Sequence, residues 1–168
     1  MRLLGEGTPP PTPPGVERGL GFHLSFCLFV PAVKEPSVIQ KMQTIQHTFL
    51  AVQDVFFNSP EWEKHLSMLE SADMEFRSIA YESASMSIAL EDFKQGEQLN
   101  LWTQFLSQAA SAHATQVYVG LGWALAQTLK NPMLYLPALN PMLRYRVLDG
   151  YGYYEGVFRR RRTVINQL

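Results

Sequence analysis

The sequence predicts an all-α fold, a compact multi-helix domain behind a proline-rich leader. Three observations carry this. Apolar residues recur at spacings of three and four in successive segments, the period of a helix with one buried face. Proline and asparagine fall where such segments start or stop. The chain has 168 residues, 46% hydrophobic and 12% aromatic, enough for one sizeable core and too few for two ordinary domains.

Residues 1–18 contain Pro9, Pro10, Pro11, Pro13 and Pro14 among glycines, a composition that cannot hold a helix and reads as a disordered leader. The domain is expected over residues 19–168. Its first helix opens at Pro36, a residue suited to a first helical position, and Ile39, Met42, Ile45, Phe49, Val52 and Phe56 follow at helical spacing to about Asn58. Ser59-Pro60-Glu61 reads as N-cap, first-turn proline and acidic first turn of a short helix burying Trp62, Leu66 and Leu69. A third helix spans about Phe76 to Phe93, with Ile79, Met86, Leu90 and Phe93 on one face. A fourth covers Leu99 to Ala112, placing His113 at its end, and a fifth runs from Gln116 to Leu129, stopped by Asn131-Pro132. Asn140-Pro141 predicts a further helix through Leu148, closed by Asp149-Gly150. The tail from Tyr151 to Ile165 is read as helical.

Bulk properties exclude several classes of function. The formal net charge is −1, so no global field draws nucleic acid or an anionic membrane. The single cysteine, Cys27, rules out an internal disulfide framework. The most apolar run, Phe22 to Val33, is too short to span a bilayer and is stopped by Pro31. A soluble, cytoplasmic protein without a transmembrane segment or nucleic-acid partner is expected. His23, His47, His65 and His113 share no metal-ligand spacing, and no metal site is expected. No motif names a cofactor.

Glu82 is the most informative ionisable residue. Its neighbours at helical spacing are Ile79, Met86, Ala89 and Phe93, so the carboxyl lies on the apolar face, where it must be paired, hydrogen-bonded or protonated. It is either a general acid or base with a raised pKa, or a buried partner of Arg77, Arg144 or Arg146. Ser83, Ala84, Ser85, Ser87 and Ala89 around it are small enough for close helix packing.

Gly120-Leu121-Gly122 lacks the third glycine and the strand-helix context of a dinucleotide loop, and reads as a close helix crossing or as a pocket floor beside Trp123. Between Asp149 and Glu155 the chain also holds Tyr151, Tyr153 and Tyr154. That group reads either as a polar, aromatic ligand wall with Asp149 or Glu155 carrying a proton, or as a turn docking its rings on the core. The basic run Arg159 to Arg162 reads as a solvated face, with phosphate or carrier-protein contact as the alternative.

Four strings together resemble the enediyne biosynthesis protein family encoded in enediyne polyketide gene clusters. They are Gly21-Phe22-His23, Tyr81-Glu82-x-Ala84-x-Met86, Val119-Gly120-x-Gly122-Trp123-Ala124-x-Ala126 and Asp149-Gly150-Tyr151-Gly152. The resemblance extends from Gly19 to about Gln167. It implies a cytoplasmic, largely helical protein of secondary metabolism, one unit of a duplicated helical architecture, since this chain is similar to the first of two related halves. Tyr118 and Tyr154 stand where the resemblance leads one to expect histidines. The resemblance carries over no catalytic role.

The residues and the resemblance together imply a protein that binds or processes a polyene or enediyne-type polyketide intermediate. Glu82, Asp149 and Glu155 are the candidate proton carriers, and Trp123, Tyr151 and Tyr153 line the hydrophobic or polyene ligand. The alternative is a non-catalytic assembly protein that pairs with a second copy or a second helical half.

Overall fold

The computed structural model describes residues 35–159. Those residues form an all-α domain of six α-helices joined by 3-10 turns, and no strand occurs among them. The leader, Gly21-Phe22-His23, Cys27 and Arg160 to Arg162 lie outside the described residues.

Helix α1 (Pro36–Asn58) has the bounds its sequence predicts, with the proline in the first turn. Ser59 does not cap the next helix. Its backbone N–H closes α1 on the Val55 carbonyl, and its hydroxyl donates to the Glu61 carboxylate at 2.5 Å. The following segment is a 3-10 turn (Trp62–Lys64) and a short helix α2 (Leu66–Ser71), with Trp62 and Leu69 buried.

Helix α3 (Arg77–Gln95) is the centre of the domain, and α1, α2, α4 and α5 all pack on it. Residues 83–90 are buried without a break, so α3 is enclosed all round rather than on one stripe. Alanine and serine let neighbours close in from every side, and the buried hydroxyls are all satisfied. Ser83 donates to the Phe49 carbonyl of α1 at 2.6 Å, and Ser87 bonds back to the Ser83 carbonyl at 3.1 Å. Ser85 donates to the Val117 carbonyl at 2.5 Å and accepts the Trp102 indole N–H at 2.8 Å.

Helix α4 (Asn100–Gln108) is shorter than expected, and its residue at the N-cap position, Leu99, offers no capping side chain. Asp92 of α3 caps it from outside, accepting the Leu101 and Trp102 N–H groups at 3.1 and 2.9 Å. A 3-10 turn (Ser111–His113) leads directly into α5 (Ala114–Gln127), so His113 begins α5 rather than ending α4. The His113 ring stacks on Tyr81 at 4.2 Å, and Tyr81 donates its phenol to Glu70 at 2.5 Å.

Asn131 and Asn140 do cap as asparagine-proline pairs should, each accepting the N–H two residues on. What Asn140 opens, however, is a run of turns, and helix α6 (Arg146–Phe158) begins only afterwards. The expectation that Asp149-Gly150 closes a helix is corrected here. Gly150 lies inside α6 because α6 crosses α5 at that point. A β-carbon on Gly150 would lie 2.0 Å from the Val119 carbonyl oxygen, and one on Gly122 would lie 2.1 Å from that of Val147. Tertiary contact, not local chain reversal, accounts for this glycine. Among the described residues no helix is long and apolar enough to cross a membrane.

Candidate functional site

The Gly120-Leu121-Gly122 string is a double crossing. Gly120 lies on α3, where an added β-carbon would stand 2.2 Å from the Glu82 carbonyl oxygen, and Gly122 lies on α6. Trp123, the next residue, is thereby wedged among α1, α3 and α6. Its ring meets Phe49 at 5.2 Å, Tyr153 at 5.3 Å, and Tyr154 and Phe158 each at 5.8 Å. Phe49, Trp123 and Tyr154 are buried, whereas Tyr153 is 52% exposed, so the aromatic cluster reaches the surface along Tyr153.

Glu82 enters this cluster from α3. It is only partly accessible, and desolvation lifts its carboxyl from the ordinary 4.5 to about 7. The neighbouring Trp123 side chain opposes that shift without cancelling it. Burial raises the pKa of the Tyr153 phenol, and the nearby Glu82 charge raises it further. Glu82, Trp123 and Tyr153 are therefore electrostatically coupled neighbours contributed by three different helices. A carboxyl poised near neutrality beside a partly open aromatic surface can both donate and accept a proton.

Neither Arg144 nor Arg146 forms an ion pair with Glu82. Arg146 pairs with Asp149 at 3.0 Å, and Arg77 pairs with Glu70 at 3.3 Å. Asp149 stands one turn before Tyr153 on the same side of α6, tied to Arg146 with both side chains more than half exposed. Glu155 is buried at 8% exposure and ion-paired with Arg159, whose guanidinium also lies over the Tyr154 ring. Tyr151 precedes Tyr153 by two residues, roughly 200° around a helix, so its ring leaves α6 on the other side. The structure thus brings Glu82, Trp123 and Tyr153 together and places Glu155 and Tyr151 on other faces.

Tyr154, from the expected aromatic wall, completes the cluster together with Phe49 and Phe158, which no sequence signal singles out. Phe49 lies on the apolar stripe of α1, and nothing in its local spacing distinguishes a site ring from a core ring. Tyr154, in one of the two expected-histidine positions, packs against Trp123 and Phe158, the latter at 4.9 Å. Tyr118, in the other, is buried against Trp102 and accepts the Asn140 N–H at 3.2 Å. Both tyrosines have packing roles in this chain. Among the described residues no group of three or more His, Cys, Asp or Glu side chains is arranged to hold a metal ion.

No curated protein and no solved structure matches the chain. A family model described as a protein of unknown function (DUF1702) matches residues 30–168. That match takes in every helix described above together with Glu82, Trp123 and Tyr153, and the chain belongs to the DUF1702 family.

Proposed function

We propose that the protein acts in secondary metabolism by binding a flat, conjugated polyketide intermediate of the polyene or enediyne type, with Glu82 carrying a proton to or from it. The observation that carries this reading is the Glu82 carboxyl, lifted to about 7 by burial at the edge of the Trp123–Tyr153 ring cluster. Aromatic faces suit a planar unsaturated chain, and a group titrating near neutrality suits proton transfer in either direction. The ligand class comes from the resemblance to enediyne biosynthesis proteins. A cytoplasmic setting belongs to the same reading.

Native mass spectrometry of the full chain, alone and after incubation with extract of a polyene-producing strain, tests it. Wild type and Glu82→Gln should retain a polyene mass, and Trp123→Ala should lose it. Conversion of the bound species should stop in Glu82→Gln. A chain that retains nothing, with pathway output unchanged by Glu82→Gln, would overturn the proposal.

A second reading, assembly with a copy or a related half, is favoured by one observation. Gly152 and Gly156 stand one turn apart on α6, and among the described residues no atom lies within 4 Å of an added β-carbon at either, which leaves room for another helix. Light scattering of wild type and Gly152→Leu would decide it. A dimer converted to monomer supports assembly, and a monomer throughout removes it.

A further inference from the structure

A cleft of about 670 Å³ lies at the end of α3 remote from Glu82, between the residues that follow α3 and the loop that follows α5. From Glu82 to Gln95, α3 rises about 20 Å, so this cleft is separate from the Trp123 cluster. Its volume falls within the range of small-molecule sites.

Four leucines line its apolar side, Leu99, Leu129, Leu134 and Leu139. Leu129 and Leu134 are 64% and 75% exposed, an arrangement that leaves apolar surface in water unless something covers it. Leu129 is also the residue that closes α5. Its N–H bonds the Ala126 carbonyl and that of Lys130 bonds the Leu125 carbonyl, the paired closure usually made by glycine. At φ 59° Leu129 holds a left-handed backbone that disfavours a side chain. Helix closure alone does not call for a leucine there, whereas a cleft wall does.

The polar side is centred on Lys130. Its ammonium lies 5.1 Å from the centroid of the Phe93 ring and 3.1 Å from the Glu97 carboxylate. The Lys130 side chain is 21% exposed and that of Glu97 is 80% exposed. A pair with one partner almost wholly in solvent is weak, so the enclosed cation is held by a carboxylate that is easily exchanged. Another carboxylate arriving within the cleft would meet the same ammonium with less competition from water.

We propose that this cleft binds an amphipathic monocarboxylate, a long-chain acid whose carboxylate replaces Glu97 at Lys130 and whose chain covers Leu129, Leu134 and Leu139. The proposal does not rest on the Glu82 reading.

Isothermal titration calorimetry of the full chain with lauric acid and with its methyl ester, saturated chains unlike the planar ligand proposed at Trp123, tests it. The acid should bind saturably at one site and the ester about tenfold more weakly, as loss of one charge-assisted contact requires. Lys130→Gln should weaken the acid about tenfold and leave the ester unchanged. Glu97→Gln should leave acid binding unchanged or tighter, and Leu134→Asp should weaken both ligands. Trp123→Ala, which removes the other candidate ligand surface, should change none of these, which separates the two sites. Thermal unfolding of Lys130→Gln at the wild-type temperature would show that its effect is not loss of fold. Equal binding of acid and ester, indifference to Lys130→Gln, or loss of binding in folded Trp123→Ala would overturn the proposal.

Discussion

Gly120 rests on the backbone of Glu82, so close that a β-carbon at Gly120 would lie 2.2 Å from the Glu82 carbonyl oxygen. The helix that delivers Trp123 is therefore seated at the residue whose carboxyl Trp123 contacts. Packing and site chemistry share one contact point, and a methyl group placed there should disturb both.

Gly120→Ala, Gly122→Ala and Gly150→Ala should each destabilise the domain by about 1–3 kcal/mol, because each added carbon meets backbone that cannot rotate away. Gly152→Ala and Gly156→Ala add a methyl into open space within the same helix. These two should stabilise the monomer by roughly 0.5–1 kcal/mol through helix propensity. Urea unfolding of the five variants checks the contrast, and equal effects across the set would contradict the crossing geometry.

Stability should fall as pH rises through the range set by Glu82. The folded carboxyl titrates at about 7 against an ordinary 4.5, so the native state binds more protons than the unfolded state in that window. The contribution is fully present below about pH 4.5 and is lost as pH climbs through about 7, by up to about 3 kcal/mol. Glu82→Gln, neutral at every pH, should flatten this part of the profile. Denaturant unfolding at about pH 5 and pH 8 makes the comparison, and an unchanged slope in the variant would remove the elevated carboxyl.

Much of this arrangement is legible in the sequence where local rules and tertiary needs agree. Pro36 marks the start of α1 because a first-turn proline lacks only an N–H that the helix would not use. Glu82 is identified by its apolar neighbours at helical spacing. The sequence misleads where distant contacts override a local signal. Asp149-Gly150 has the form of a helix end, yet Gly150 serves contact with Val119. Phe49 and Phe158 join Trp123 from two other helices, and their spacing within each helix matches ordinary core residues. The capping of α4 is hidden for the same reason, since its carboxylate comes from α3.

That remote cap predicts a measurable cost. Asp92 is buried at 4% exposure, and desolvation raises its pKa against the pull of the α4 backbone N–H groups. Asp92→Ala leaves the first turn of α4 without its acceptor and should cost about 1–2 kcal/mol. Hydrogen exchange should locate the loss at the Leu101 and Trp102 amides. Protection unchanged at those two amides would mean that α4 does not depend on Asp92.

Ser85 joins α3, α4 and α5 through one hydroxyl, donating to Val117 and accepting from Trp102. Ser85→Ala leaves the Trp102 indole N–H buried without its acceptor and should cost about 1–3 kcal/mol. Trp102→Phe removes the donor itself, so the serine loses one partner and keeps the other. The two losses should not add. Once the indole N–H is gone, Ser85→Ala strands no donor, and the double variant should be more stable than the summed single effects by about 0.5–3 kcal/mol. A double-mutant cycle by urea unfolding reads this coupling directly. Strict additivity would mean that the hydroxyl contributes through Val117 alone, leaving α4 held to α3 by Asp92 and by ring packing.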